Sequence, residues 1–99
     1  MNDRLREAAA IWTVHGPADA LSTVAAARAV GHQYEANPLV RDLLAAGELP
    51  AVIVMSACVA VAAALWPVAA DSLDTPPAAA TACVAVGALV VAGNLWVAA

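Results

Sequence analysis

The apolar residues of the chain fall into three runs that polar segments separate. The second run, residues 49–70, and the third, residues 78–98, contain no charged residue. Each is long enough to cross the ~30 Å hydrocarbon core of a bilayer as a helix of about 20 residues. The segment DSLDTPP between them is short, polar and rich in proline, which is typical of a tight surface turn. The pattern therefore predicts two membrane-spanning helices that are antiparallel neighbours.

The first apolar run, residues 8–30, has the length of a span but contains five residues that are unfavourable there: His15, Gly16, Pro17, Asp19 and Arg28. A central Asp costs about 2.5–3.5 kcal/mol on insertion scales, and each Leu or Val returns only a few tenths. The region could instead be an interfacial helix over residues 3–14 followed by a short buried helix, or lie outside the membrane. We favour a kinked span, because the part after Pro17 is too short to cross alone.

A short amphipathic helix is predicted between the first and second runs, over residues 38–46. Asn37 can cap free backbone N–H groups and Pro38 suits the first helical position, while Gly47 suits the end. Four apolar residues recur at helical spacing within it: Leu39, Val40, Leu43 and Leu44. The predicted fold is therefore all-α: one integral membrane domain with three transmembrane helices and this surface helix.

Composition supports lipid as the solvent of these helices. The 99 residues are 64% hydrophobic, with alanine and valine dominant and a mean hydropathy of +0.80. A soluble domain of roughly this size buries only about 60% of the surface that its unfolded chain exposes, too little to hide so many apolar groups. We expect a multi-pass protein of the cell membrane.

Charge is sparse and mainly acidic, with four Arg, no Lys, eight Asp or Glu and a net charge of −4. Nucleic-acid binding is not expected, because it needs clusters of basic residues. The acidic bias without lysine is common in extreme halophiles. Basic residues are balanced between the two sides, and the loop with Asp71 and Asp74 contains none, which favours a position outside the cell for that loop and the N-terminus.

The two cysteines are expected to be free and buried. In a hairpin of the second and third runs, Cys58 and Cys83 would differ in depth by roughly 9 Å at ~1.5 Å rise per residue. That difference exceeds the ~7 Å limit between the Cα atoms of a disulfide. Neither cysteine has His or Asp neighbours at the spacing of metal ligands, so no metal site is expected.

Small residues should mediate helix packing in lipid, where the hydrophobic effect cannot draw helices together. The candidates are stripes of residues spaced four apart. One lies on the second run: Ser56, Ala60 and Ala64. The third run has Cys83 and Gly87, with an adjoining stripe of Ala88 and Ala92.

Polar residues of the first run share one helical face. His15, Asp19 and Thr23 are four residues apart, and Ser22 lies three residues after Asp19. Pro17 removes a backbone hydrogen bond next to Gly16, which favours a bend there. The face could be a proton- or cation-handling site on Asp19, or a structural cluster that holds the helices together by hydrogen bonds. The structural interpretation is the favoured one.

Glu35 precedes the predicted surface helix and has several possible roles. It could be a solvated loop carboxylate, or a partner of the helix dipole. Alternatively, it could pair with Arg28 or His32, or line the same pocket as Asp19.

The motifs D-A-L-S-T, Asp19 to Thr23, and E-A-N-P-L-V, Glu35 to Val40, resemble those of a family of small uncharacterised prokaryotic membrane proteins common in halophilic archaea. In that family an Asp precedes a Thr or Ser in the first span, and the first loop carries Glu-x-Asn-Pro. The resemblance covers about the first half of the chain. It implies a multi-span membrane protein with a domain of unknown function, whose signature positions here would be Asp19, Thr23, Glu35, Asn37 and Pro38.

No catalytic set is recognisable in the sequence, and no cofactor is expected. We therefore expect a structural or interaction module that forms homo-oligomers or joins a larger membrane complex. The alternative is an oligomeric transporter or channel that uses Asp19. An enzyme with Asp19 and His15 as an acid–base pair is disfavoured, because Pro17 lies between them.

Overall fold

A computed structural model describes residues 2–99, and helices are the only regular secondary structure in this part of the chain. Its five α-helices are α1 (Asp3–Thr13), α2 (Asp19–Val30), α3 (Pro38–Ala46), α4 (Glu48–Ser72) and α5 (Pro77–Ala98). A π-helical turn, Val14–Ala18, joins α1 to α2, and a 3₁₀ turn, His32–Tyr34, follows α2.

The helices α1 and α2 and the π turn form one continuous helical run from residue 3 to residue 30, called the first helical run below. Pro17 has no N–H group, and the N–H of Asp19 donates to the carbonyl of Val14, five residues back. This wider pattern is that of a π-helix. The interruption predicted at Gly16 and Pro17 therefore takes the form of a wide turn that keeps the helix continuous.

The helix α3 has the predicted bounds. The Asn37 side chain accepts hydrogen bonds from the N–H groups of Leu39, at 3.0 Å, and Val40, at 3.5 Å. Gly47 ends the helix with a φ of 149°, a value that side-chain-bearing residues rarely adopt. Leu44 is buried in a small core with residues of α2 and α4, so α3 packs back onto the bundle.

The first helical run lies between α4 and α5. The helix α5 packs mainly along α2, and α4 packs along α1, the π turn and α3, whereas α4 and α5 scarcely contact each other. The prediction that α4 and α5 are neighbours is therefore wrong, although a turn of only a few residues joins them. The polar groups of the first run explain the arrangement, because they bind to both sides: Trp12 donates to the Ser56 carbonyl of α4, and His15 contacts the Cys83 carbonyl of α5.

The residues at which α4 and α5 face the bundle recur every seven positions. On α4 they are Ser56, Ala63 and Ala70, and on α5 they are Ala80, Gly87 and Asn94, each buried or half-buried. A seven-residue spacing drifts only ~20° around a straight helix, so it keeps one side in contact along its length.

The predicted small-residue stripes are correct only in part. Gly87 is buried and Cys83 is half-buried, but four of the alanines are exposed: Ala60, Ala64, Ala88 and Ala92. A spacing of four residues turns further around the helix at each step than a spacing of seven, so these stripes leave the contact face.

Both cysteines are free, as predicted, but Cys58 is exposed rather than buried, and Cys83 is half-buried. Cys58 lies on a side of α4 that no other helix covers completely.

The helices α4 and α5 are each long and apolar enough to cross a membrane. Only 11% of the most apolar stretch of each is buried within the protein, so their large side chains face outwards. The molecule is 42 Å long, close to the ~40–45 Å thickness of a bilayer with its headgroups. These features point to a membrane location. A third span in the first helical run remains a prediction.

Candidate functional site

The side-chain amide of Asn94 brings α5 together with the polar face of α2. Its Nδ2 atom lies 3.1 Å from Ser22 Oγ, 3.2 Å from Thr23 Oγ1 and 3.4 Å from Asp19 Oδ1. We call these four residues the Asn94 cluster. The sequence analysis missed Asn94, although an amide within an otherwise apolar run is a signal that could have found it.

The α2 members of the Asn94 cluster also bind each other. Ser22 Oγ donates to the backbone carbonyl of Asp19 at 3.0 Å, and Thr23 Oγ1 donates to Asp19 Oδ1 at 3.4 Å. Ser22 and Thr23 are 4% and 5% exposed, whereas Asp19 is half-buried. The polar face therefore points into the bundle, and each hydroxyl has both a donor and an acceptor nearby.

His15 contacts α5 at Cys83, which lies earlier in that helix than Asn94. Its Nε2 atom lies 2.8 Å from the carbonyl oxygen of Cys83 and 3.5 Å from Cys83 Sγ. A carbonyl oxygen can only accept, so Nε2 carries the hydrogen in this contact. The structure thus places His15 on the same side as Asp19 but gives each a different partner on α5.

A cavity of about 240 Å³ lies between the first helical run, α3 and α4. Three of the candidate residues line it: His15, Asp19 and Asn37. The rest of its wall is mainly apolar, with Val40, Leu43, Val54, Met55 and others. Asp19 therefore lies between two environments, the Asn94 cluster on one side and this cavity on the other.

Glu35 lies at a separate and smaller cavity of about 130 Å³, between the end of α2 and the end of α5. Thr23 and Asn94 form its inner end, so it leads to the Asn94 cluster from the loop side. Glu35 does not line the Asp19 cavity. Its Oε1 atom accepts from the N–H of Asn37 at 3.2 Å, next to the start of α3.

An ion pair of Glu35 with Arg28 or His32, one of the alternatives for this residue, is not found among residues 2–99. Arg28 instead pairs with Glu48, with 2.8 Å between Nε and Oε2 and 2.6 Å between Nη2 and Oε2. Glu48 begins α4 and lies beside the end of α2, so this carboxylate reaches Arg28 more directly than the loop residue does.

A second polar cluster lies at the other end of the bundle, around Arg4. Its guanidinium binds Asp71 Oδ1 at 2.9 Å, Glu7 Oε2 at 3.0 Å and the Thr75 carbonyl at 2.7 Å. The indole N–H of Trp66 donates to Glu7 Oε2 at 2.8 Å. Hydrogen bonds from Trp66 and then from Arg4 hold the pKa of Glu7 below its ordinary value, despite an opposing effect of desolvation.

The donor atoms of the Asn94 cluster limit its chemistry. It contains one carboxylate, two hydroxyls and one amide. In residues 2–99, no three His, Cys, Asp or Glu side chains come together as metal ligands. The arrangement can exchange hydrogen bonds between helices, and its carboxylate can bind a proton or a single positive charge.

These features define a small, all-helical protein with two helices of membrane-spanning character. A family model described as a domain of unknown function (DUF5658) matches residues 10–99, and the chain belongs to this family. No curated protein and no solved structure matches the chain. The matched range includes both motifs of the sequence analysis, Asp19–Thr23 and Glu35–Val40. The origin in halophilic archaea remains a prediction.

Proposed function

We propose that the protein is a structural or interaction module of the cell membrane. In this proposal residues 8–30 of the first helical run form a third span, and the Asn94 cluster attaches it to α5. The observation that carries the proposal is the contact of one amide with three oxygen atoms of α2, at 3.1–3.4 Å. This contact directs every polar side chain of the cluster towards another helix.

The energetics of polar groups in lipid support this role. An unsatisfied polar group in hydrocarbon costs several kcal/mol, whereas an interhelical hydrogen bond stabilises a membrane bundle by ~0.6 kcal/mol on average. The greater effect is therefore specificity: any helix arrangement that separates Asn94 from α2 leaves the buried side of the Asn94 amide without its three partners.

The outer faces of α4 and α5 support an interaction role. Many large apolar side chains are exposed on these faces, including Ile53, Val61, Leu65, Leu89 and Trp96. Such surfaces must be covered by lipid or by another membrane protein. We therefore propose that the module lies in the bilayer and forms a homo-oligomer or part of a larger complex.

An exchange of the two polar side chains tests the structural role. Asn94→Asp should lower the thermal stability in detergent, because it places a second carboxylate beside Asp19. The double variant Asp19→Asn with Asn94→Asp should recover most of this loss, because it restores one carboxylate and one amide at the contact. Thr81→Val is the matched control, since the Thr81 hydroxyl bonds only within α5 at an exposed position. Equal stability of Asn94→Asp and the double variant would contradict the proposal.

A second candidate function is proton- or cation-linked transport by an oligomer. It is favoured by the position of Asp19, whose carboxylate borders a cavity of about 240 Å³ that also contains His15. Asp19→Asn should then abolish a pH- or cation-dependent flux in liposomes without changing the size of the oligomer. Equal flux in Asp19→Asn and in the original protein would exclude this function.

We also propose an N-terminus outside the cell, because the turn between α4 and α5 contains acidic but no basic residues. A cysteine introduced at the exposed residue Ser72 should react with a membrane-impermeant maleimide in intact cells. Reaction only after the cells are lysed would reverse the orientation.

A further inference from the structure

A groove runs between α1 and α5 at the end of the bundle where both helices begin. Its volume is about 360 Å³, and its walls are mostly apolar. Arg6, Glu7 and Thr81 are its polar residues, and the rest of the wall is apolar, with Ala10 and Val84 among others. Nothing has so far been assigned to this groove, which lies apart from the Asn94 cluster.

The free charge of the groove lies at its outer end. Arg6 lies one helical turn before Ala10 on α1, and on α5 Val84 is the lining residue farthest from the start of the helix. The two helices run parallel here, since early residues of α1 meet early residues of α5. A charged group at the end of the bundle therefore leads into an apolar channel that runs towards its middle.

Arg6 differs from the other arginines in lacking a protein partner. Arg4 binds Glu7 and Asp71, Arg28 binds Glu48, and Arg41 donates to the Glu35 carbonyl. Within residues 2–99, the exposed Arg6 side chain has no ion pair and no hydrogen bond. Glu7 also borders the groove, but its carboxylate already binds Arg4 and Trp66.

We propose that this groove binds an anionic phospholipid, with the phosphate at Arg6 and one acyl chain between α1 and α5. A guanidinium suits a phosphate because it can donate two parallel hydrogen bonds to it. Trp66 binds Glu7, the residue after Arg6, and is of a type that favours the headgroup level, which supports a suitable depth for Arg6. The order of charge first and apolar wall second matches a lipid rather than a soluble anion. The inference rests on the proposed membrane location, and not on the role of Asp19.

The test uses the full-length protein in detergent, with dioleoyl phosphatidylglycerol and dioleoyl phosphatidylcholine as probes. Phosphatidylglycerol should raise the melting temperature and remain bound in native mass spectrometry, while phosphatidylcholine should do so much less. Arg6→Gln should remove this difference. Arg28→Gln is the matched control, because it removes the same charge at the other end of the bundle and should keep the difference. Thr81→Trp, which fills the groove without changing charge, should also remove it.

Several results would overturn the proposal. One is an equal effect of the two lipids, and another is an equal loss of lipid preference in Arg6→Gln and Arg28→Gln, which would indicate attraction by overall charge. If glycerol phosphate raises the melting temperature as much as phosphatidylglycerol does, the groove is a site for phosphate alone. A protein that is monodisperse in plain aqueous buffer would instead overturn the membrane location, so the two failures are distinguishable.

Discussion

Gly87 of α5 lies against Val14 in the π turn of the first helical run. A Cβ atom at position 87 would come within 2.5 Å of Val14 Cγ1 and 2.8 Å of His15 Nε2. The absence of a side chain therefore allows α5 to approach closely enough for His15 to reach the Cys83 carbonyl, 2.8 Å away. Helix approach and polar contact depend on each other at this point.

Gly87→Ala should destabilise the protein, because the added methyl group forces Val14 and His15 to move. Overpacking of this kind typically costs about 1–3 kcal/mol. Gly93→Ala is the matched control on the same helix, since its Cβ would meet nothing within 4 Å. We expect no loss there, or a gain of ~0.5–1 kcal/mol, because alanine is the better helix former. Thermal unfolding in detergent measures both, and equal stability of the two variants would contradict the close contact.

Asn37→Ala should weaken the start of α3 by about 1 kcal/mol, because it removes the acceptor of the Leu39 and Val40 N–H groups. Asn37→Ser should retain most of the stability, since a serine oxygen can also cap. Amide hydrogen exchange at Leu39 and Val40 is the measurement. Unchanged exchange rates in Asn37→Ala would show that other groups cap the helix.

The contact of Trp66 and Arg4 with Glu7 should make stability depend on acid pH. The pKa of Glu7 is lowered in the folded protein, so the folded state favours the ionised carboxylate. This contribution is present above the ordinary glutamate pKa of 4.5 and is lost as the pH falls below it, through the folded value. Melting temperatures measured across this range should fall towards low pH.

Two variants separate the causes of this pH dependence. Glu7→Gln should reduce the fall of the melting temperature towards low pH, because the titrating group is absent. Trp66→Phe should reduce this fall only in part, since Arg4 still binds Glu7 at 3.0 Å. An identical fall of the melting temperature at low pH in Glu7→Gln and in the original protein would assign the pH dependence to other carboxyl groups.

Arg4→Ala should lower the melting temperature more than Arg28→Ala. Arg4 joins the start of α1 to the turn after α4 through Glu7, Asp71 and the Thr75 carbonyl, and it is partly buried. Arg28 pairs with Glu48 at an exposed position, where solvent and salt screen the charges. Melting temperatures measured at low and high salt test this. The decrease caused by Arg28→Ala should vanish at high salt, and the decrease caused by Arg4→Ala should persist. The reverse order of sensitivity would contradict this interpretation.

Features that depend on neighbouring residues were predictable from the sequence. The bounds of α3 follow from Asn37, Pro38 and Gly47, whose effects act within one helical turn. The interruption at Pro17 also follows from local chemistry, although its form as a π turn does not. The uncharged runs likewise indicated α4 and α5.

The choice of helix neighbours could not be predicted, because it depends on contacts between distant residues. Asn94 and Ser22 are 72 residues apart in the chain, and nothing in either local sequence indicates the other. The short turn after α4 suggested a hairpin, but the bonds of Trp12 to α4 and of His15 to α5 place the first helical run between the two. Which of the alternatives for Glu35 applies could not be predicted for the same reason, since Glu48 approaches Arg28 only in the folded bundle.

The central position of the first helical run has a consequence for synthesis. This segment is translated before α4 and α5, yet Cys83 and Asn94, which bind His15 and Ser22, follow those residues by 68 and 72 positions. During translation its imidazole and hydroxyl groups must rely on water, on one another or on α4. A chain that stops just before Asn94 would therefore contain α1 to α4 and most of α5 but lack the residue that joins α5 to α2.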